Sequence, residues 1–127
     1  MPFRSFVSKE LATFLGVLSH PHRVRIVEEL RGRELDVNSL QAALGVSHSG
    51  VSQHLAILRS HRIVKERREG RHVFYQLSQP PLAGWLVAGL QFLDGGLSQA
   101  EEMHKAVEET RSVWSEMTED GTDPPAA

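Results

Sequence analysis

"VSHSGVSQHLAILRSHRIVKERREGRHVFYQL", residues 46–77, decides the fold of this 127-residue chain. Its first half repeats apolar side chains at helical spacing. Val51, Leu55 and Leu58 recur at i, i+4 and i+7, so they share one helix face and turn inward, with Ile57 widening that face. Its second half has strand chemistry, in Ile63 and Val64 and then in Val73, Phe74, Tyr75 and Leu77. Between these runs lies KERREGR, polar and holding Gly70, which reads as the tip of a two-stranded hairpin.

Upstream, residues 37–44 (VNSLQAAL) form a short helix, capped by Asn38 or Ser39 and ended by Gly45, which takes positive φ without a Cβ penalty. Val46 plugs the turn, and Ser47 or Ser49 caps the next helix, which runs to about Arg59. Two short helices across a tight turn make a helix-turn-helix unit, and the basic hairpin that follows makes it a winged helix. Further upstream, residues 5–18 place Val7, Leu11, Phe14, Leu15 and Leu18 on one helical face. In LSHPHRVRIVEELRG, Pro21 suits a first helical turn after Ser19 or His20, and Val24, Ile26, Val27 and Leu30 form its buried side.

Downstream, Pro80 and Pro81 open a final long helix carrying Leu82, Leu86, Leu90, Leu93 and Leu97. Gly95 and Gly96 bend or briefly break it, and residues 98–118 continue it with Met103, Val107, Trp114 and Met117 as contacts. The expected fold is mainly α with a two-stranded β wing: a winged helix-turn-helix with N- and C-terminal dimerisation helices. Residues 1–118 form one DNA-binding and dimerisation domain, and residues 119–127 a disordered tail.

Composition removes several classes of function. Cysteine is absent, which excludes disulfides, thiolate metal sites and cysteine redox sensing. The longest apolar run is too short to span a bilayer, and no signal peptide is recognisable, so the cytoplasm is the expected location. No nucleophile constellation or glycine-rich phosphate loop is present, so no enzyme activity and no cofactor are expected. The net charge of -2 conceals a strong asymmetry. Residues 59–93 hold six basic and two acidic side chains, whereas residues from Asp94 onward hold two basic and nine acidic. The positive field is local to the hairpin, where a polyanion would meet it.

That placement points to double-stranded DNA. A recognition helix needs polar side chains near its N-terminus and an apolar back anchored in a core. Ser47, His48, Ser49, Ser52 and Gln53 supply the polar end, and Gln53 is the best reader of a base edge because its amide both donates and accepts. Arg67, Arg68 and Arg71, nearest the hairpin tip, suit phosphate or minor-groove contact, while Arg59 and Arg62 can pair with Glu28, Glu29 or Glu66. His54, beside the apolar stripe, reads as a structural histidine, and Phe74 and Tyr75 as core. One module covers a small footprint, so a homodimer is expected, its interface built from Val7, Leu11, Phe14, Leu15, Leu86, Leu90, Leu93 and Leu97.

Three stretches together, HPHRVRIVEEL, LQAALGVSHSGVSQHLAILRSHRIV and REGRHVFYQL, resemble the ArsR/SmtB family of bacterial winged-helix repressors. The resemblance covers roughly residues 10–95. It implies a cytoplasmic homodimer that binds an imperfect palindrome, represses nearby genes and is released by an inducer. The family's metal sites transfer poorly. Asp36 and Asn38 stand where its paired thiols would be, and Gly96 stands where the histidine of its last-helix Asp-x-His would be. Asp94, His104 and Glu108 remain as a reduced candidate set for a metal-responsive regulator. His20 and His22, at i,i+2 on a helix, are expected to point apart, so no tight metal site is expected. The inducer stays open: a small molecule between the terminal helices, another protein, or none. The other readings are a winged-helix protein-interaction module and an architectural, sequence-neutral DNA binder.

Overall fold

The structure, a computed structural model, describes residues 2–93 and 100–119. Asp94, Gly95, Gly96, Leu97 and the tail from residue 120 lie outside the described residues. The chain order is α1 (Pro2–Leu18), α2 (Pro21–Glu29), β1 (Leu35–Asp36), α3 (Val37–Leu44), α4 (His48–Ser60), β2 (Val64–Glu69), β3 (His72–Leu77), α5 (Pro81–Gly89), a 3-10 turn (Leu90–Leu93) and α6 (Ala100–Glu119). This is the expected winged helix-turn-helix.

The core forms where the sequence periodicities converge. Ile26, Val27 and Leu30 from α2 and its cap meet Leu40 of α3 and Val51, Leu55 and Leu58 of α4, all at most 1% exposed. The hairpin closes over them with Ile63, Val64 and Leu77, and α5 adds Ala83. Each such aliphatic side chain contributes about 1.5–3 kcal/mol on leaving water, so α4 is fixed in angle by three anchors on one face.

Helix ends follow local chemistry. Gly45 ends α3 at φ 69°, and its N–H donates to the Gln41 carbonyl. The α3 cap is neither Asn38 nor Ser39 but Asp36, whose carboxylate accepts the Ser39 N–H at 2.8 Å. Asp36 is extended because it pairs with Phe74 across the sheet, so the helix can begin only at the next residue. That pairing makes β1 a third strand, two residues long, in an antiparallel sheet of order β1-β3-β2. Two residues carry no alternation, which is why the sequence pattern left the strand unmarked.

The C-terminal region is not one long helix. It breaks at Leu90–Leu93, and α6 lies back against the body with Val107 and Trp114 buried. A straight helix would carry Trp114 about 36 Å beyond Leu90. Instead both side chains line one cavity of about 560 Å³ together with Leu15, Leu18 and Val24. The Trp114 ring lies 5.7 Å from the guanidinium of Arg31, itself 4% exposed. Burial lowers the pKa of Arg31 and raises that of Glu28, with Arg25 opposing the shift at Glu28.

Candidate nucleic-acid interface

Ser47 caps α4: its hydroxyl accepts the Gly50 N–H at 3.1 Å, and its backbone is extended. The turn closes this tightly because residue 50 has no side chain. A Cβ there would lie 2.8 Å from Val46 Cγ1, closer than real contacts allow, and 3.0 Å from Ser47 Oγ, at their tight limit. Val46 thus packs into the core edge as expected, and the first turn of α4 is held from behind. That turn contains no acidic residue, so its unpaired N–H groups present positive potential.

Ser49 and Gln53 are exposed on this helix, opposite Val51, Leu55 and Leu58; His48 shares the face of Leu55 but is exposed as the first residue of the helix, and Ser52 is half-buried at the edge of the exposed face. Ser47 Oγ also lies 3.4 Å from Ser49 Oγ, so one of the two hydroxyls is partly committed within the cap.

The wing is built by alternation. Val64, Glu66 and Arg68 face one way and pair with Leu77, Tyr75 and Val73; Lys65, Arg67 and Glu69 face the other and pair with Gln76, Phe74 and His72. Gly70 at φ 60° opens the two-residue turn that joins the strands. The three arginines near the tip therefore differ. Arg67 is engaged: its Nε donates to Glu34 at 3.0 Å, its NH1 to Glu69 at 2.9 Å, and its guanidinium lies 4.9 Å from the Phe74 ring centre. Hydrogen bonds donated to Glu34 first and Glu69 second raise its pKa further, and the bond to Glu34 lowers the pKa of that carboxyl. Arg68 is 71% exposed and touches Glu66 at 3.5 Å, and Arg71 is exposed at the turn itself.

Glu66 has a second partner, Arg59 of α4, at 3.3 Å, one of the pairings expected for that arginine. One carboxylate thus bridges the end of α4 to the wing arginine Arg68. Arg62 does not share that arrangement. It follows the α4 cap at φ 60°, where its N–H donates to Arg59 and the Ile63 N–H donates to Leu58, a Schellman closure.

His54 points toward α2, where its Nδ1 accepts the Arg23 Nε–H at 3.3 Å and its ring lies 4.4 Å from that of His20 and 5.5 Å from that of His22. Burial first, then the charges of His20, Arg23 and His22, lower its pKa. The expectation that His20 and His22 point apart is overturned: their ring centres are 5.1 Å apart. His20 is not helical but the α2 N-cap, at φ −144° and ψ 130°, and its Nδ1 accepts the His22 N–H. The signal was present in the sequence, because a residue before proline avoids the helical region. Of the reduced metal set, Glu108 pairs with Arg111 at 3.3 Å, and Asp94 is not among the described residues.

Away from this face, α1 exposes Val7, Leu11 and Leu15 along with Phe3 and Phe6, and the α5 region exposes Trp85, Phe92 and Leu93. Phe14 is half-buried against Trp85 at 6.1 Å between ring centres, and Leu86 and Leu90 are half-buried. No helix of the described residues is long and apolar enough to cross a membrane.

Residues 20–66 match the family model described as "Bacterial regulatory protein, arsR family". The transcriptional repressor SmtB homolog of Synechocystis sp. is 46% identical over 71 residues, which cover 56% of this chain and 54% of that protein. The HTH-type transcriptional regulator Rv0081 of Mycobacterium tuberculosis is 35% identical over 88 residues, 68% of this chain and 77% of that one. Among solved structures, reduced HlyU from Vibrio cholerae superimposes with a TM-score of 0.65 at 29% identity, covering 72% of this chain and 97% of that one. With the helix-turn-helix, wing and exposed polar helix end already in place, this chain belongs to the arsR family of bacterial regulatory proteins and is a winged helix-turn-helix, DNA-binding transcriptional regulator.

Proposed function

We propose that the protein is a cytoplasmic homodimeric repressor of an imperfect palindromic operator. Each protomer sets the N-terminal half of α4 in the major groove and its wing on the backbone or minor groove. The observation that carries this reading is the Glu66 bridge, which ties the wing arginine Arg68 to Arg59 at the end of the same helix that exposes His48, Ser49 and Gln53. One duplex can then touch both elements.

Within that reading Gln53 reads a base edge, with His48, Ser49 and Ser52 beside it, and Ser47 serves the cap and an adjacent phosphate. Arg68 and Arg71 hold the backbone. Arg67 would join them only by giving up Glu34 and Glu69, so it orients the wing root. The apolar faces of α1 and of the α5 region support dimerisation, since exposed patches of this kind mark association surfaces. Repression follows the name of the Synechocystis relative, a transcriptional repressor homolog. An inducer, where one acts, has no thiolate to use, because the chain has no cysteine.

The test is binding of the full chain to genomic fragments it selects, against scrambled duplex, over a salt series. Gln53→Ala should lose about 1–3 kcal/mol of preference for the selected site. Arg68→Ala should weaken both duplexes alike and reduce the slope of log affinity against log salt by about 1 per contact. Equal losses on selected and scrambled DNA for Gln53→Ala would overturn the assignment. A shallow salt slope for the unaltered chain would instead favour a protein-interaction module.

A further inference from the structure

We infer that His20, His22 and His54 form a binding site for one divalent transition-metal ion at the junction of α2 and α4. Their candidate ligand atoms all lie within 4.8 Å of one another, and all three side chains are half-buried. Among the described residues this is the one group of three potential ligands so arranged.

The geometry arises from one cap. Because His20 stands outside the helix, its ring turns toward His22 rather than around the axis from it, and the second turn of α4 brings His54 against both. Three imidazoles suit zinc, nickel, copper or cobalt, and a tetrahedral ion at Zn–N distances of 2.0–2.1 Å needs nitrogens about 3.3 Å apart. Rotation of the three rings closes that gap, and a water completes the fourth position.

Ion binding competes with two existing hydrogen bonds. The Nδ1 lone pairs of His20 and His54 now accept the His22 N–H and the Arg23 Nε–H. If the ion takes Nδ1 of His54, it replaces the Arg23 donor. If it takes Nε2, the ring proton moves to Nδ1 and the Arg23 contact is lost equally. Arg23 also donates to the Val17 carbonyl at the end of α1, so it keeps a partner when the ion enters.

The ligands join two elements, so a bound ion fastens α4 to the start of α2. If α4 is the groove-reading helix, a consequence that rests on the function proposed above, metal and operator affinities are coupled and each changes the other by the same factor. Metal binding itself is measured without DNA, so its failure and that of the operator reading remain distinct.

The experiment is titration of the full, metal-free chain with zinc and with cobalt, monitoring stoichiometry, the cobalt absorption of a four-coordinate site, and histidine ring resonances. One equivalent per chain is expected, with shifts confined to the rings of His20, His22 and His54. His54→Gln, and His20→Asn, which keeps a capping side chain, should each weaken zinc by at least about 10–100-fold, the loss seen on removing even an outer-shell partner. His104→Gln should leave binding unchanged. Absence of saturable binding to the unaltered chain overturns the proposal whatever the variants do. So does binding that His104→Gln abolishes and His54→Gln spares.

Discussion

Replacing Arg62 by glycine should stabilise the protein, although it deletes a charged side chain and adds no contact. Arg62 sits at φ 60°, the one non-glycine positive φ among the described residues, because the Schellman closure of α4 needs a left-handed residue directly after the cap. An L residue with a Cβ gives up about 1–2 kcal/mol in that conformation. Glycine avoids this cost but has a more disordered unfolded chain, which takes back about 0.4–1 kcal/mol. The net gain is about 0.5–1 kcal/mol. For a chain of this length that raises Tm by roughly 2–5 °C. The assay is thermal and urea unfolding at one fixed protein concentration, since association shifts apparent stability. Arg62→Ala is the decisive comparison, because it removes the same charge and stem while keeping the Cβ. Should glycine prove no more stable than alanine, backbone strain is not what Arg62 contributes, and the reasoning fails.

Gly50→Ala should destabilise by about 1–3 kcal/mol despite alanine's better helix propensity, because its Cβ would press on Val46 and the cap hydroxyl; urea midpoints of the two proteins decide it. Asp36→Ala should lose about 1 kcal/mol at pH 7 through the missing α3 cap. The backbone N–H of Ser39, then the Ser39 side chain, lower the Asp36 pKa, so the charged form favours the folded state. That stability is present above the ordinary carboxylate pKa and is lost as pH falls through the lower folded value; the difference from Asp36→Ala should therefore shrink below about pH 4. Leu11→Glu, at a side chain 52% exposed in the single chain, should leave the fold intact and shift sedimentation to the 14.2 kDa monomer. A dimer that persists would move the interface away from α1.

Most of the fold was legible because it is written in short-range periodicities. Val51, Leu55 and Leu58 need only helical spacing to be assigned inward, and they are the most buried residues of α4. Gly45 and Gly70 mark their turns by the backbone conformation that glycine tolerates best. The exposed polar end of α4 was readable for the same reason, since Ser49 and Gln53 lie opposite the apolar stripe. What was not legible depends on partners distant in the chain. Arg67 and Arg68 are neighbours with the same chemistry, yet one is fastened to Glu34 and the other is largely exposed, because strand alternation sends them to opposite faces.

The sequence by itself therefore determined the helix-turn-helix, the wing, the charged region and the absence of thiol chemistry, all properties of residue type at local spacing. Only the tertiary structure decided that Asp36 pairs with Phe74, that α6 folds back to bury Trp114, and that His54 meets His20 across 34 positions of chain. Such contacts form when whole elements pack. Their geometry is set by the shared core beneath them, and no local pattern records it.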